Sequence, residues 1–434
     1  MTPAEIGVWG VVVLFGLLLL RVPVWIALVL VGFVGNYIVM GWPGAFGLAG
    51  TAPFDVASSY TLSVVPLFIL MGEVATRSRL SAELFSAARI MLSGMRSGLA
   101  TATIVASAFF GAVSGSSLAN AATMTRIAYP EMKKAGYDDR LATGSLAAGG
   151  SLGILIPPSI ILVLYAAIAE QSVPKLFAAG LLPGIALALL YILIASLITY
   201  FRPEFAPAGP RVTMRERIVA LKGPWQFVVL FVVTIGGIYS GIFSPTEAAA
   251  IGAFGAILIG FAGRRMSLRD LLQAIENSVI VSGLLFVIVI GANLFSFFIV
   301  QTHLPTFLLG MAEGAGLSGI TVMLMIIVAY LILGCFLEGI GMVLITVPVF
   351  LPIVLSFGYD PVWFGILIVV MVEVGLLTPP VGMNLFVIRA LAPGADMAAV
   401  FKGVIPFLIS PFLLVVLLFN LPDLALWLPR LLYD

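Results

Sequence analysis

GILIPPSI, residues 153 to 160, and GLLTPPVG, residues 375 to 382, each set two consecutive prolines inside a long apolar run. Proline carries no backbone N–H and its ring blocks the preceding helical turn, so a pair of them leaves carbonyls without intrahelical donors. In hydrocarbon, such carbonyls persist only where protein or a watery cavity receives them. A single proline pair reads as well as a packing kink. Two in matching places, with Ser151 and Ser159 beside the first and Thr378 and Asn384 beside the second, point to paired interruptions that expose hard oxygen atoms suited to Na⁺.

The rest of the chain is apolar enough to make hydrocarbon its solvent. Of 434 residues, 62% are hydrophobic and 9% charged, a composition that cannot surround a soluble core with a wettable surface. Runs of the ~20 apolar residues needed to cross a bilayer recur throughout, giving roughly ten to twelve embedded segments and an all-α, polytopic fold. A membrane barrel would alternate polar and apolar residues; these runs are apolar on every face. The net charge of +1 and the lack of a basic stripe leave no nucleic-acid partner in view. The single cysteine, Cys335, reads as a small apolar residue in a helix. The first apolar run, Ile6 to Leu20, lacks a basic leader and a small-residue cleavage site and reads as a retained helix.

The two proline pairs belong to longer stretches that match at an offset of about 222 residues. Phe110-Gly111, Thr123 and Pro130 fall near Leu333-Gly334, Thr346 and Pro352. Cytoplasmic loops collect Lys and Arg. The first repeat has Arg77, Arg79, Arg89, Arg96, Lys133, Lys134 and Arg140 in its inner connections, whereas the corresponding stretches of the second, 301–318 and 357–363, have none. Past the prolines the bias reverses, with Arg389 and Lys402 against Lys175. The repeats therefore read as inverted relative to each other, an arrangement typical of secondary transporters with sites near the midplane. Both termini are then periplasmic and Arg21 is inside. The stretch 202–222, with Arg202, Arg211, Arg215, Arg217 and Lys222, reads as a cytoplasmic linker.

Two further segments read as tips of re-entrant hairpins. Gly111 to Asn120 packs Ser114, Gly115, Ser116, Ser117 and Asn120 into an apolar run, and Gly334 to Thr346 offers Glu338, Gly339 and Gly341. Tight helix packing through small residues is the alternative. As hairpins, the first would meet Gly153 to Pro158 and the second Gly375 to Asn384. Carboxylates in apolar runs are costly and by default functional. Glu247, in Ser244-Pro-Thr-Glu247, has the form of a helix cap. Glu338 and Glu373 could either hold backbone amides or balance a bound cation. The sole histidine, His303, precedes Pro305 in a loop and reads as a surface residue. No metalloprotease, nucleophile-elbow or Walker pattern is present. A membrane enzyme would have to use Ser114 with Lys133, about five helical turns apart. A channel is disfavoured by symmetric breaks without a charged ring.

GSLGILIPPS (150–159), SPTEAAAIGA (244–253) and EVGLLTPPVGMNLFVI (373–388) resemble the large membrane subunit of tripartite ATP-independent periplasmic (TRAP) transporters, along essentially the whole chain. The resemblance implies the fold of the ion transporter superfamily: two re-entrant helical hairpins and two broken helices in an elevator-type transport domain held by a scaffold. It implies scaffold helices and an arm over 1–91, a first transport repeat over 92–198, linker and scaffold over 199–318, a second transport repeat over 319–391 and a C-terminal helix over 392–434. It implies Na⁺-coupled uptake of an organic acid at the bacterial cytoplasmic (inner) membrane. The partners implied are a periplasmic substrate-binding protein and a small four-helix membrane subunit, expected as a separate chain from the length of this one. One Na⁺ site would draw on Ser114, Gly115, Ser116, Ser117, Asn120, Gly153 and Pro157. The other would draw on Gly334, Glu338, Gly341, Gly375, Thr378 and Met383. The substrate would meet Ser116, Arg126, Ser159, Thr346 and Asn384, with Arg126 the one nearby guanidinium. A self-sufficient carrier of the same superfamily is the alternative.

Overall fold

The apolar runs become helices throughout. The computed structural model describes residues 1–207, 209 and 212–433, and no strand occurs among them; Arg211 of the linker lies outside the described residues. Six helices are long and apolar enough to cross a bilayer, and two bent pairs, Tyr60–Arg77 with Leu80–Met91 (63°) and Met214–Ala220 with Trp225–Tyr239 (49°), raise the number to eight. Further apolar helices are too short to pass that test, which leaves eight against the roughly ten to twelve embedded segments expected from the sequence. Pro3–Leu19, Gly98–Ser114, Gly319–Gly334 and Pro361–Leu377 are of this kind. At 1.5 Å per residue, 17 residues span about 25 Å, short of a ~30 Å hydrocarbon core.

Helix starts are fixed by local capping. Thr2, Thr213, Ser244 and Ser267 each form a reciprocal capping box with the acid three residues on. Glu247 is thus a cap, as its sequence form suggests: the Ser244 amide donates to its Oε2 at 2.8 Å, and the Glu247 amide donates to Ser244 Oγ at 3.3 Å. Two of the helix's orphan amides are thereby satisfied.

Val24–Ala57 and Leu268–Gln301 run against each other. Gly32 brings the backbones together, since a Cβ there would stand 2.6 Å from Phe295 N. Asn36, fully buried, donates from Nδ2 to Gly32 O (2.7 Å) and across to Leu294 O (2.9 Å). An amide bonded across an apolar helix pair fixes its axial register, because sliding would leave the donor unpaired in hydrocarbon.

The two repeats are alike in plan. In the first, a hairpin of Gly98–Ser114 and Ser117–Lys134 turns at Gly115 (φ 61°). Asp139–Ser151 follows, ends in a short 3₁₀ turn, and resumes as Ile160–Ile168. In the second, Gly319–Gly334 and Gly339–Ser356 form the hairpin, and Pro361–Leu377 breaks before Met383–Leu391. Both proline pairs, Pro157-Pro158 and Pro379-Pro380, have cis peptide bonds.

The repeats are locked by exchange of their last helices. Val173–Phe201 packs on Pro361–Leu377 of the second repeat, and Met397–Asn420 packs on Asp139–Ser151 of the first. The latter approach is through glycine: a Cβ at Gly403 would lie 2.1 Å from Arg140 O, and one at Gly144 would lie 2.3 Å from Gly403 O. Backbone cannot yield as a side chain can. Gly403→Ala is therefore expected to lower stability by about 1–3 kcal/mol through overpacking, read as a fall in the thermal transition of the purified protein. Gly283→Ala, where nothing lies within 4 Å of the new methyl, is expected to leave the transition in place or raise it.

Candidate functional site

Each hairpin tip meets the break of its own repeat through a pair of glycines. A Cβ at Gly111 would stand 2.7 Å from Gly153 Cα, and a Cβ at Gly334 would stand 2.7 Å from Gly375 Cα. These are equivalent positions of the two repeats. Any side chain at them would push the tip off the break and leave its carbonyls facing lipid, which is why the position requires glycine.

At the first tip the left-handed turn at Gly115 brings its carbonyl to the Ile160 amide, which donates to it at 3.5 Å. A Cβ on Gly153 would lie 3.1 Å from Ser116 O. Asn120, fully buried, ties three strands of backbone together. Its Nδ2 donates to Ser107 O (2.9 Å), Gly149 O (3.3 Å) and Gly150 O (3.3 Å). Its Oδ1 has no partner, and neither has the buried Ser114 Oγ. Ser117 is also buried. Ser107 Oγ, on the first arm of the same hairpin, is likewise unpartnered, so buried oxygens without partners recur along this hairpin.

Other hydroxyls in this neighbourhood are already engaged. Ser116 Oγ accepts from the Ala119 amide at 3.4 Å, capping the second arm of the hairpin. Ser159 Oγ donates to Ile154 O and accepts from the Leu162 amide, so it stitches the broken helix to its continuation. Pro157 is buried in the break itself.

The second tip differs in chemistry. Glu338 precedes the helix Gly339–Ser356 as its N-cap residue, half-buried, but its side chain caps no amide. Gly341 faces Val24 of the long helix Val24–Ala57, where a Cβ would lie 3.1 Å from Val24 Cγ1, and does not face the second break. Thr378 Oγ1 donates to Val374 O at 2.6 Å, and Met383 opens the resumed helix partly buried after Gly382 (φ 40°). Asn384 is fully buried with neither Nδ2 nor Oδ1 paired.

Two of the substrate residues expected from the sequence lie away from the tips. Arg126 is exposed on the second arm of the first hairpin and makes no hydrogen bond or ion pair among the described residues. Ten residues separate it from Ser116, about 15 Å along the helix. Thr346 donates to Met342 O at 2.7 Å and bonds the Tyr330 hydroxyl, joining the arms of the second hairpin. Tyr330 and Tyr191, both buried, are polar groups that the sequence reading passed over. The signal was available: a tyrosine in an otherwise apolar span needs a partner for its hydroxyl.

The four segment ends at each level have opposite polarity. Gly98–Ser114, Asp139–Ser151, Gly319–Gly334 and Pro361–Leu377 present carbonyl ends to the breaks, while Ser117, Ile160, Gly339 and Met383 start helices there and present amides. Carbonyl ends favour cations and amide ends favour anions. Among the described residues no group of three or more His, Cys, Asp or Glu could hold a metal.

Comparison with known proteins agrees with this architecture. Residues 11–424 match the family model described as Tripartite ATP-independent periplasmic transporter, DctM component. The chain is 36% identical over 378 residues to the C4-dicarboxylate TRAP transporter large permease protein DctM of Pseudomonas aeruginosa, covering 87% of this chain and 88% of that one. It is 32% identical over 428 residues to the ectoine TRAP transporter large permease protein TeaC of Halomonas elongata, covering 96% and 97%. Among solved structures, the YdaH transporter of Alcanivorax borkumensis, reported for its unusual topology, superimposes with a TM-score of 0.64 at 16% identity over 99% of this chain and 100% of that one, a likeness of fold. Mirrored hairpin–break contacts, match length and identity together lead to one conclusion: this chain belongs to the DctM, or large permease, family of tripartite ATP-independent periplasmic transporters.

Proposed function

We propose that this permease drives uptake of an organic acid across the bacterial inner membrane with a Na⁺ gradient, receiving its solute from a periplasmic binding protein and working beside a separate small four-helix membrane subunit. The observation that carries the reading is the pair of buried, unpartnered oxygens at the first hairpin tip, Ser114 Oγ and Asn120 Oδ1, next to a break that frees carbonyls. With Gly115, Gly153 and Pro157 supplying backbone oxygens, they would hold one Na⁺. Gly334, Gly375 and Thr378 line the equivalent position of the second repeat. Bound Na⁺ supplies positive charge at the breaks, which offsets the desolvation of the carbonyls and draws an anion toward the adjoining helix N-termini.

The relatives carry names of different solutes, C4-dicarboxylate, sialic acid, isethionate and ectoine, which fits a shared translocation core with solute choice made elsewhere. Exposed Arg126 is then not required to clamp a carboxylate, and backbone amides with Asn384 carry that role. Movement is of the elevator kind: residues 92–198 and 319–391 shift as one body against a scaffold of 1–91 and 199–318. The helix Met397–Asn420 is grouped with the moving body because it packs on Asp139–Ser151. One isethionate relative is longer than this chain, which covers 62% of it, in keeping with a second membrane component in such systems.

In proteoliposomes holding this permease and the small subunit, uptake is expected to require both an inward Na⁺ gradient and the binding protein. Uptake that persists with choline replacing Na⁺, or with this chain alone, contradicts the reading. Ser114→Ala removes an oxygen that bonds nothing in the protein, so stability should be little changed. The Na⁺ concentration giving half-maximal uptake is expected to rise by about tenfold, the usual scale for losing part of a metal's surroundings; an unchanged Na⁺ dependence removes Ser114 from the site.

A further inference from the structure

Three cations that the charge distribution assigns to the cytoplasmic side, Arg140, Arg202 and Lys402, come from distant segments of the chain and meet at one cleft. The cleft has a volume of about 390 Å³ and opens between Val173–Phe201 and Met397–Asn420, the helices exchanged between the repeats. Its remaining walls are apolar, with Ile194, Leu197 and Pro406 among them. Charge at the rim and hydrocarbon on the walls is the chemistry of an amphiphile's site.

Local structure holds the rim together. Arg140 is answered within its own turn, where its Nε and Nη2 donate to the two oxygens of Asp138, each at 2.9 Å. Its guanidinium lies over the Phe205 ring, 4.2 Å from the centroid, and that of Arg202 lies over the same ring at 5.4 Å. Phe205 is buried, and its carbonyl accepts from the Asp138 amide at 2.9 Å, so ring, carboxylate and both guanidiniums form one unit. Arg202 and Lys402 have no ion pair or side-chain hydrogen bond among the described residues. Glu204 is exposed nearby and enters no ion pair there either. With Asp138 and Glu204 both set against the three cations, the rim keeps a positive surplus. Away from it, Leu197 continues into Leu193 and Leu189, all exposed and four residues apart. That spacing makes one stripe on the helix face, about 12 Å long, leading toward the bilayer interior.

We infer that this cleft binds one anionic diacyl phospholipid of the cytoplasmic leaflet, with its phosphate against Arg202 and Lys402 and an acyl chain along Leu197, Leu193 and Leu189. Charge complementarity selects the occupant, because basic pockets between spanning helices on the cytoplasmic side suit acidic headgroups. The apolar walls ask for a chain, which a free phosphate lacks. Such a lipid joins the repeats: Arg202 follows the helix that ends the first, and Lys402 belongs to the helix that follows the second.

The test is native mass spectrometry of the full-length chain titrated with dioleoyl phosphatidylglycerol or dioleoyl phosphatidylcholine, alone and with the small membrane subunit. The parent is expected to retain one phosphatidylglycerol in preference to phosphatidylcholine. Arg202→Gln and Lys402→Gln are each expected to weaken it about fivefold, and the double variant about 30-fold. Lys222→Gln, on an exposed linker lysine outside the cleft, is expected to leave binding unchanged, and Leu197→Trp, which fills the apolar wall and keeps the charges, to weaken it. Equal affinity for the two lipids, or parent-like affinity in the double variant, overturns the site. Displacement of the lipid by an equal concentration of glycerol phosphate assigns the rim to a soluble anion, and loss of lipid when the small subunit is added assigns the cleft to a protein helix; either result overturns the lipid assignment. A measurement on the parent alone serves if the variants do not fold: phosphatidylglycerol is expected to raise its thermal transition more than phosphatidylcholine does, and an equal effect overturns the inference.

Discussion

A backbone that stops being helical inside a bilayer must find partners, and this protein meets that demand twice with the same contact. In both repeats a hairpin tip is pressed onto a helix break through facing glycines, Gly111 on Gly153 and Gly334 on Gly375. The absence of Cβ atoms lets the two chains approach to backbone distance, which no other residue allows. The contact joins each hairpin to the broken helix of its own repeat. It also explains why oxygen atoms gather where the rest of the chain is hydrocarbon.

The same demand shapes the surroundings. Helix starts are closed by their own side chains, as at Ser244 with Glu247 and at Ser116 and Ser159 beside the breaks. Once these local bonds are made, several buried polar atoms remain without partners: Ser114 and Asn120 at the first tip and Glu373 and Asn384 around the second broken helix, with others elsewhere, Asn36, Ser282 and Ser410 among them. The asymmetry matters for chemistry. The first tip offers neutral oxygens, while the second broken helix carries a carboxylate, so the two repeats share a frame but not an electrostatic character. The exchanged last helices, closed by Gly144 against Gly403, make one body of the two.

Glu373 and Ser151 occupy equivalent positions of the two repeats in different surroundings. Ser151 donates to Ala148 O and bonds the Tyr191 hydroxyl, whereas Glu373 has no hydrogen-bond partner. A scaffold amide behaves differently: Asn36 finds its carbonyl on the neighbouring helix and fixes a register.

Hydrophobic composition, the doubled proline pairs, their offset and the Lys/Arg bias determined the all-helical membrane class, the two hairpins, the two breaks and the family, because these follow from local rules of backbone chemistry and solvent that are written residue by residue. Which polar atoms are free was decided only by tertiary structure. Ser159 and Thr346 sit in the right segments but are bound to nearby backbone, Arg126 points away to the surface, and Gly341 packs on Val24. Whether a hydroxyl is available depends on its rotamer and on neighbours dozens or hundreds of residues distant, and a linear pattern carries no record of either. Tyr191, unremarked in its apolar helix, became informative only when folding set its hydroxyl against Ser151, 40 residues away.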